Sequence, residues 1–264
     1  MLSYEFMQRA LLVGLMLSII IPMIGIVMVN RRTSMIGDAL SHTALSGVAL
    51  GLIIGINPVF SSIIICIIAS FAIEIIRKKF KNFGDMATAI IMSLGIGLAA
   101  IMSDFTPGGT SFESFLFGSI TSVTKTDLIV VSVIFVFVLF FSLYLYYPLL
   151  YNSISPLMAD LSGINSKLVS NIFTFLTAVT IGISAKTVGA LMISSLMVLP
   201  VASGLLISKS YRETFIKSII IAIIYMMAGI SASFYLGIKP GGAIVVIAVI
   251  GMIISLIIQK IFKR

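Results

Sequence analysis

Cysteine, histidine and charge are all scarce in this sequence: one cysteine, one histidine, and charged side chains at only 10% of positions. Cys66 stands alone inside the apolar run SSIIICIIAS, which excludes a disulfide framework or a cysteine metal cluster within one chain. No stretch is polar or long enough to fold as a separate soluble domain, so residues 1–264 read as a single domain. No G-x-x-x-x-G-K-[ST] phosphate loop is present. Its nearest fragment, GLLISKS from Gly204, lacks the glycine before Lys209 and begins inside an apolar run. The lone histidine argues against a serine peptidase: His42 and Ser46 are one turn apart, but ALSG departs from the nucleophile motif and no second histidine exists. The formal charge of +8 does not suggest nucleic acid, because the lysines and arginines fall at the ends of apolar runs rather than clustering on a soluble face.

What is there is hydrocarbon. Hydrophobic residues make up 59% of the chain and the mean hydropathy is +1.22, where soluble domains are about half apolar and about a quarter charged. The pattern predicts an all-α, polytopic transmembrane helix bundle, with spans near 8–29, 35–55, 59–76, 86–103, 127–148, 167–185, 188–208, 214–236 and 242–261. That is nine crossings. Ala185-Lys186-Thr187 interrupts about 40 apolar residues as either a tight outer turn or a re-entrant kink, and eight crossings is the other reading. The run Ala10–Val29 lacks an A-x-A cleavage signal and ends in Asn30-Arg31-Arg32, so it should remain as a span and not be removed as a signal peptide. With the N-terminus outside, thirteen of seventeen basic residues fall on the inner side and the C-terminus is cytoplasmic. Residues 106–125 contain an apolar core too short to span, so they should lie on or dip into the outer face. Pro22 and Pro200 fall inside spans, where each removes a backbone hydrogen bond and can kink a helix.

Asp38 and His42 are the chemical anomaly. Four residues apart on a helix, they share one face and can share one ligand. A carboxylate inside a span costs a few kcal/mol unless it meets an ion, a partner or a cavity. Paired with an imidazole it suits zinc(II), manganese(II) or iron(II). An alternative is a first-turn carboxylate favoured by the helix dipole, with His42 bonded to a neighbouring helix. Two residues do not fill a coordination shell, so other ligands would come from other spans, water or a second copy. Gly37, Ala39, Ser41, Ala44, Ser46, Gly47, Ala49 and Gly51 make the same helix narrow enough for close packing.

NRRTSMIGDALSHTALSGVALG, residues 30 to 51, resembles the signature of the permease subunits of bacterial metal-type ABC importers, which serve zinc, manganese and iron(II). GDMATAIIMSLGIGLA from Gly84, SFLFGSITSVTKTDL from Ser114 and KPGGAIVV from Lys239 are similar to further blocks of that family, so the likeness covers nearly the whole chain. It implies that Asp38 and His42 coordinate the metal in the translocation path. Many manganese-type members carry proline where this chain has Ser46, so the resemblance favours zinc.

The resemblance also implies partners: a separate ABC ATPase subunit that binds ATP, an extracellular metal-binding solute-binding protein, and a permease homodimer in the cell membrane. Residues 155–167, SPLMADLSGINSK, read as a short cytoplasmic helix, with Ser155-Pro156 as start and Gly163 as stop. They resemble a coupling helix. Ala159, Asp160 and Gly163 then serve contact with the ATPase, although the initial glutamate common in importers is absent. Asp104, Glu113 and Asp127 are candidates for meeting the binding protein, and are equally readable as solvated loop charges. The competing transport reading is an ion- or proton-coupled secondary metal transporter using Asp38 and His42, with Glu74 as a relay or, instead, paired with Arg77 or Lys78. The chain itself is not expected to be an enzyme or to hold a cofactor.

Overall fold

The computed structural model describes residues 4–80, 83–106, 109–119 and 121–262, which contain helices and turns but no strand. Lys81, Lys263 and Arg264 of the charge count, and the side chain of Glu113, lie outside the described residues. The long helices are α1 (Glu5–Asn30), α2 (Ser34–Ile54), α3 (Pro58–Lys79), α4 (Gly84–Ser103) and α6 (Lys125–Tyr144), followed by α9 (Ser166–Ser184), α10 (Ile193–Ile207), α11 (Tyr211–Leu236) and α12 (Pro240–Phe262). Between them lie three short ones: α5 (Gly109–Phe117), α7 (Tyr146–Ile154) and α8 (Pro156–Leu161). Among the described residues, eight helical elements are long and apolar enough to cross a membrane, with Ser166–Ile207 counted as one element of 42 residues.

That element is broken where the sequence places Lys186. Ala185–Gly189 form a π turn and Ala190–Met192 a 3₁₀ turn. Gly189 has φ +95°, and a Cβ there would lie 2.4 Å from the carbonyl carbon of Phe117, so both conformation and space require glycine. Lys186 Nζ donates to Asp127 Oδ2 at 2.6 Å, fixing the break to the start of α6. Pro22 and Pro200 lie inside continuous α1 and α10. A different proline shapes the chain: Pro148 has no N–H to give the carbonyl of Tyr144, and α6 ends at Tyr144 with α7 starting two residues later. The apolar stretch expected to run to residue 148 is therefore two helices.

Burial is graded. Within the most apolar window of each helix, 72% of α1 and 67% of α2 lies inside the protein, against 22% of α6 and 28% of α4 and α12. The outer helices expose Ile101, Val133 and Ile257. A water-soluble protein would not leave so many large aliphatic side chains uncovered, and a bilayer accepts them. α2 lies between α3 and α4 and also touches α10. Its small residues permit this: a Cβ at Gly47 would lie 2.7 Å from Ser62 Cα, and one at Gly95 of α4 would lie 2.6 Å from Thr43 Cγ2. α5 packs against the 185–192 break and against α2, so it is tucked into the bundle rather than lying loose on its surface.

Candidate functional site

Asp38 lies in the first turns of α2 and His42 one turn further on; both are half-buried. The surrounding stretch explains why they stay on the helix. Ser41, Thr43 and Ser46 return their hydroxyls to backbone carbonyls three or four residues back, at 2.8 to 3.2 Å, so they need no outside partner. For Ser46 this removes the last support for a nucleophile: its hydroxyl is buried and donates to the carbonyl of Thr43.

The Asp38 carboxylate has one partner on another helix. Ser194 Oγ, in the first turn of α10, donates to Asp38 Oδ1 at 3.1 Å. That leaves Oδ2 and the remaining lone pairs of Oδ1 for a ligand. The His42 side chain makes no hydrogen bond with any described residue, so the alternative that gave it a neighbouring helix as partner is not what the structure contains. Among the described residues no third histidine, cysteine, aspartate or glutamate joins the pair. Met35, Asp38 and His42 form a short, partly exposed strip over the first turns of α2, which closes at the buried Ser46 and Ala49 before Leu50 and Ile53 near the far end. One of the most enclosed helices of the bundle thus keeps a short, partly exposed strip at its start, and its two ionisable groups lie on that strip. Ser194 was not legible from sequence, because a serine in an apolar span carries no mark of its partner 156 residues away.

The other expected residues are placed as follows. α8 is capped by Ser155, whose Oγ accepts from Met158 N, and the chain turns just past its end at Gly163, with φ +80°. Ala159 is fully buried. Asp160 accepts from the Ser166 backbone N–H at 2.9 Å, which with the Ser166 hydroxyl holds its carboxyl below the ordinary carboxylate value. Leu157, Met158 and Leu161 are exposed by 63% or more. Glu74 accepts from Thr174 Oγ1 at 2.9 Å and lies 3.3 Å from Lys78, so the Lys78 pairing is the one formed.

Asp127 differs from the loop charge anticipated for it. It is 8% exposed, shares a capping box with Thr124 and bonds Lys186, so its carboxylate is committed inside the bundle. Asp104 is exposed at the end of α4.

Comparison with known proteins agrees with this architecture. A family model described as "ABC 3 transport family" matches residues 3–259. The high-affinity zinc uptake system membrane protein ZnuB of Haemophilus influenzae is 30% identical over 265 residues, covering 99% of this chain and 98% of that protein. The manganese transport system membrane protein MntC of Listeria monocytogenes is 26% identical over 251 residues, covering 95% and 89% respectively. Among solved structures, PsaBC from Streptococcus pneumoniae in complex with Fab superposes with a TM-score of 0.86 at 24% identity, over 96% of this chain and 91% of that one.

Proposed function

Because the chain belongs to the ABC 3 transport family, we propose that it is the membrane permease subunit of an ATP-driven importer of divalent transition-metal ions, with Asp38 and His42 as the ion-handling pair. The observation that carries this is the pair itself: a carboxylate and an imidazole, one turn apart on a short, partly exposed strip at the start of a central helix, with Ser194 orienting the carboxylate. A second copy facing the same strip would supply a second carboxylate and imidazole, enough donors for a four-coordinate metal. This supports a homodimer with the path at its centre. Zinc is the favoured cargo over manganese, on Ser46 and on the zinc-named relative.

The topology that suits this role has nine crossings, the N-terminus outside and the C-terminus in the cytoplasm. A straight helix of 42 residues would run about 63 Å, twice a bilayer's hydrocarbon thickness of about 30 Å. Treating α9 and α10 as two crossings joined at the 185–192 break accounts for the length. It also accounts for the contacts at the joint and beyond it: Lys186 in the break meets the start of α6, and the Ile207 carbonyl at the other end of α10 meets Lys217 near the start of α11.

In this orientation α8 is cytoplasmic, and exposed Leu157, Met158 and Leu161 offer the ATPase subunit an apolar face. Asp160 and Gly163 hold the turn behind that face, and Ala159 anchors it in the protein. Closure of the ATPase pair would push α8 and, through the adjoining α9, tilt the bundle. A solute-binding protein delivers the ion from outside, with Asp104 the exposed carboxylate available to it. Glu74 is engaged by Lys78 and Thr174, which disfavours a proton relay.

Metal uptake into proteoliposomes containing the permease, ATPase and binding protein tests the proposal. Asp38→Ala and His42→Ala should leave the complex assembled and abolish uptake, with zinc competing better than manganese in the unaltered protein. Full uptake by either variant would remove the pair from the path. Uptake that ignores ATP and collapses with ion gradients would establish the secondary-transporter reading instead.

A further inference from the structure

A cavity of about 640 Å³ opens where α1 turns into α2, beside the end of α3 and the start of α9. Arg31, Arg32, Arg77 and Lys78 line it against a single carboxylate, Glu74, an excess of three positive charges. Cations at helix ends ordinarily mark the cytoplasmic side and reach into water. Arg31 does not. Its guanidinium is largely buried, donates to Ser170 Oγ at 2.9 Å and stacks 5.1 Å from the centre of the Phe173 ring. Burial lowers its pKa and the nearby Glu74 raises it in part, but no carboxylate lies within ion-pair distance among the described residues. A guanidinium has five N–H donors, and the bond to Ser170 uses one of them, while Arg31 lines the cavity. Glu74 is already held by Lys78 and Thr174. The remaining lining is mixed, with Met28, Ile36, Leu40 and Ile73 beside the hydroxyl and amide side chains of Ser70, Asn152 and Ser153.

A desolvated cation requires an anion, and a cavity of this sign repels a divalent metal, so this space is not a route for the cargo. We infer that it is a binding site for a phosphate-bearing anion, with Arg31 and Arg77 as its principal ligands. Phosphate matches the forked guanidinium donors, and basic pockets between helices on the cytoplasmic side take such groups from lipid headgroups. The occupant would join the α1–α2 turn, six residues before Asp38, to the part of α9 that follows α8. Its presence would therefore stiffen the link between the ATPase-facing helix and the ion-handling helix.

The phosphate has two sources, the inner leaflet or the cytosol, and the test separates them. The permease–ATPase complex is placed in nanodiscs of phosphatidylcholine with a minor share of phosphatidylglycerol, and retained lipid is counted by native mass spectrometry. In parallel, inorganic phosphate is titrated against thermal stability in detergent, with sulfate-free chloride at matched ionic strength as control. For a lipid source, retained phosphatidylglycerol falls about fivefold in Arg31→Gln and in Arg77→Gln, the factor expected for one cation near the surface. For a soluble source, phosphate raises the melting temperature of the unaltered complex and the rise is lost in both variants. The Arg77 side chain makes no hydrogen bond among the described residues, so Arg77→Gln keeps the test valid if Arg31→Gln misfolds. Equal lipid retention in all three proteins, with no variant-dependent effect of phosphate, overturns the site. The readout is binding, so it is independent of whether Asp38 and His42 carry metal.

Discussion

Replacing Lys186 by methionine removes the cation that fixes the 185–192 break to α6. The ion pair is short at 2.6 Å and little exposed, at 18% for Lys186 and 9% for Asp127. Stripping one partner from a buried pair leaves an uncompensated charge, at a cost of about 3–5 kcal/mol. Here the carboxylate keeps the N–H and hydroxyl of Thr124, which places Lys186→Met near the lower end, at about 3 kcal/mol. Asp127→Asn leaves an ammonium that can swing toward water, so its cost should be smaller, about 2 kcal/mol. The double variant has no orphaned charge and should cost about 3 kcal/mol, about 2 less than the sum. Unfolding of the purified permease in mixed micelles measures all four corners of that cycle. Ser194 lies eight residues beyond Lys186 and orients Asp38, so metal uptake by Lys186→Met should fall although both candidate ligands are intact. A coupling below about 0.5 kcal/mol, or uptake by Lys186→Met equal to that of the unaltered protein, would refute this account of the break.

Other substitutions probe other parts of the mechanism. Gly163→Ala forces a side chain into φ +80° at a cost of about 1 kcal/mol, although space is open there; metal-stimulated ATP hydrolysis by the complex should drop while basal hydrolysis persists. Asp160 has a depressed pKa, so its bond to Ser166 is present above the ordinary carboxylate value and lost as pH falls through the folded-state value; ATPase coupling should weaken on that acid side, and Asp160→Asn should flatten the dependence. Gly25→Ala would set a Cβ 2.1 Å from the Met197 carbonyl oxygen, a backbone atom unable to swing aside, and should lower stability by about 1–3 kcal/mol in the same unfolding assay.

Much of the bundle was legible because a bilayer imposes one strong rule on sequence: long apolar runs closed by charge. The expected span 35–55 and the observed α2 (Ser34–Ile54) differ by a residue at each end. At α3 the expected end at residue 76 stops short of Lys79, because basic side chains continue a helix while their heads reach water. The split at Leu145 was missed. Pro148 acts on a carbonyl four residues earlier, and the apolar run around it carries no other sign of a break. Asp38 and His42 stood out by spacing because both partners lie on one helix. Asp127, Ser194 and Arg31 did not reveal themselves, since what each does depends on Lys186, Asp38 or the Ser170–Phe173 pair, 59 to 156 positions away. Helical periodicity carries no information at that range.

The central position of α2 bears on how the protein is made. Its mean hydropathy, 1.3, is the lowest of the eight candidate elements, against 2.7 for α1, because its serines and glycines, with Asp38 and His42, displace aliphatic residues. It is also synthesised before α3 and α4, the helices that cover it. During that interval the nascent chain must hold a poorly lipophilic segment, with an acid near its start, beside the insertion machinery or against α1 until the next two helices emerge. A helix made for the interior of the finished protein is thus the one most exposed to failure during biogenesis, and mutations in α3 or α4 that never touch the ion path could still deplete the transporter by leaving α2 without cover.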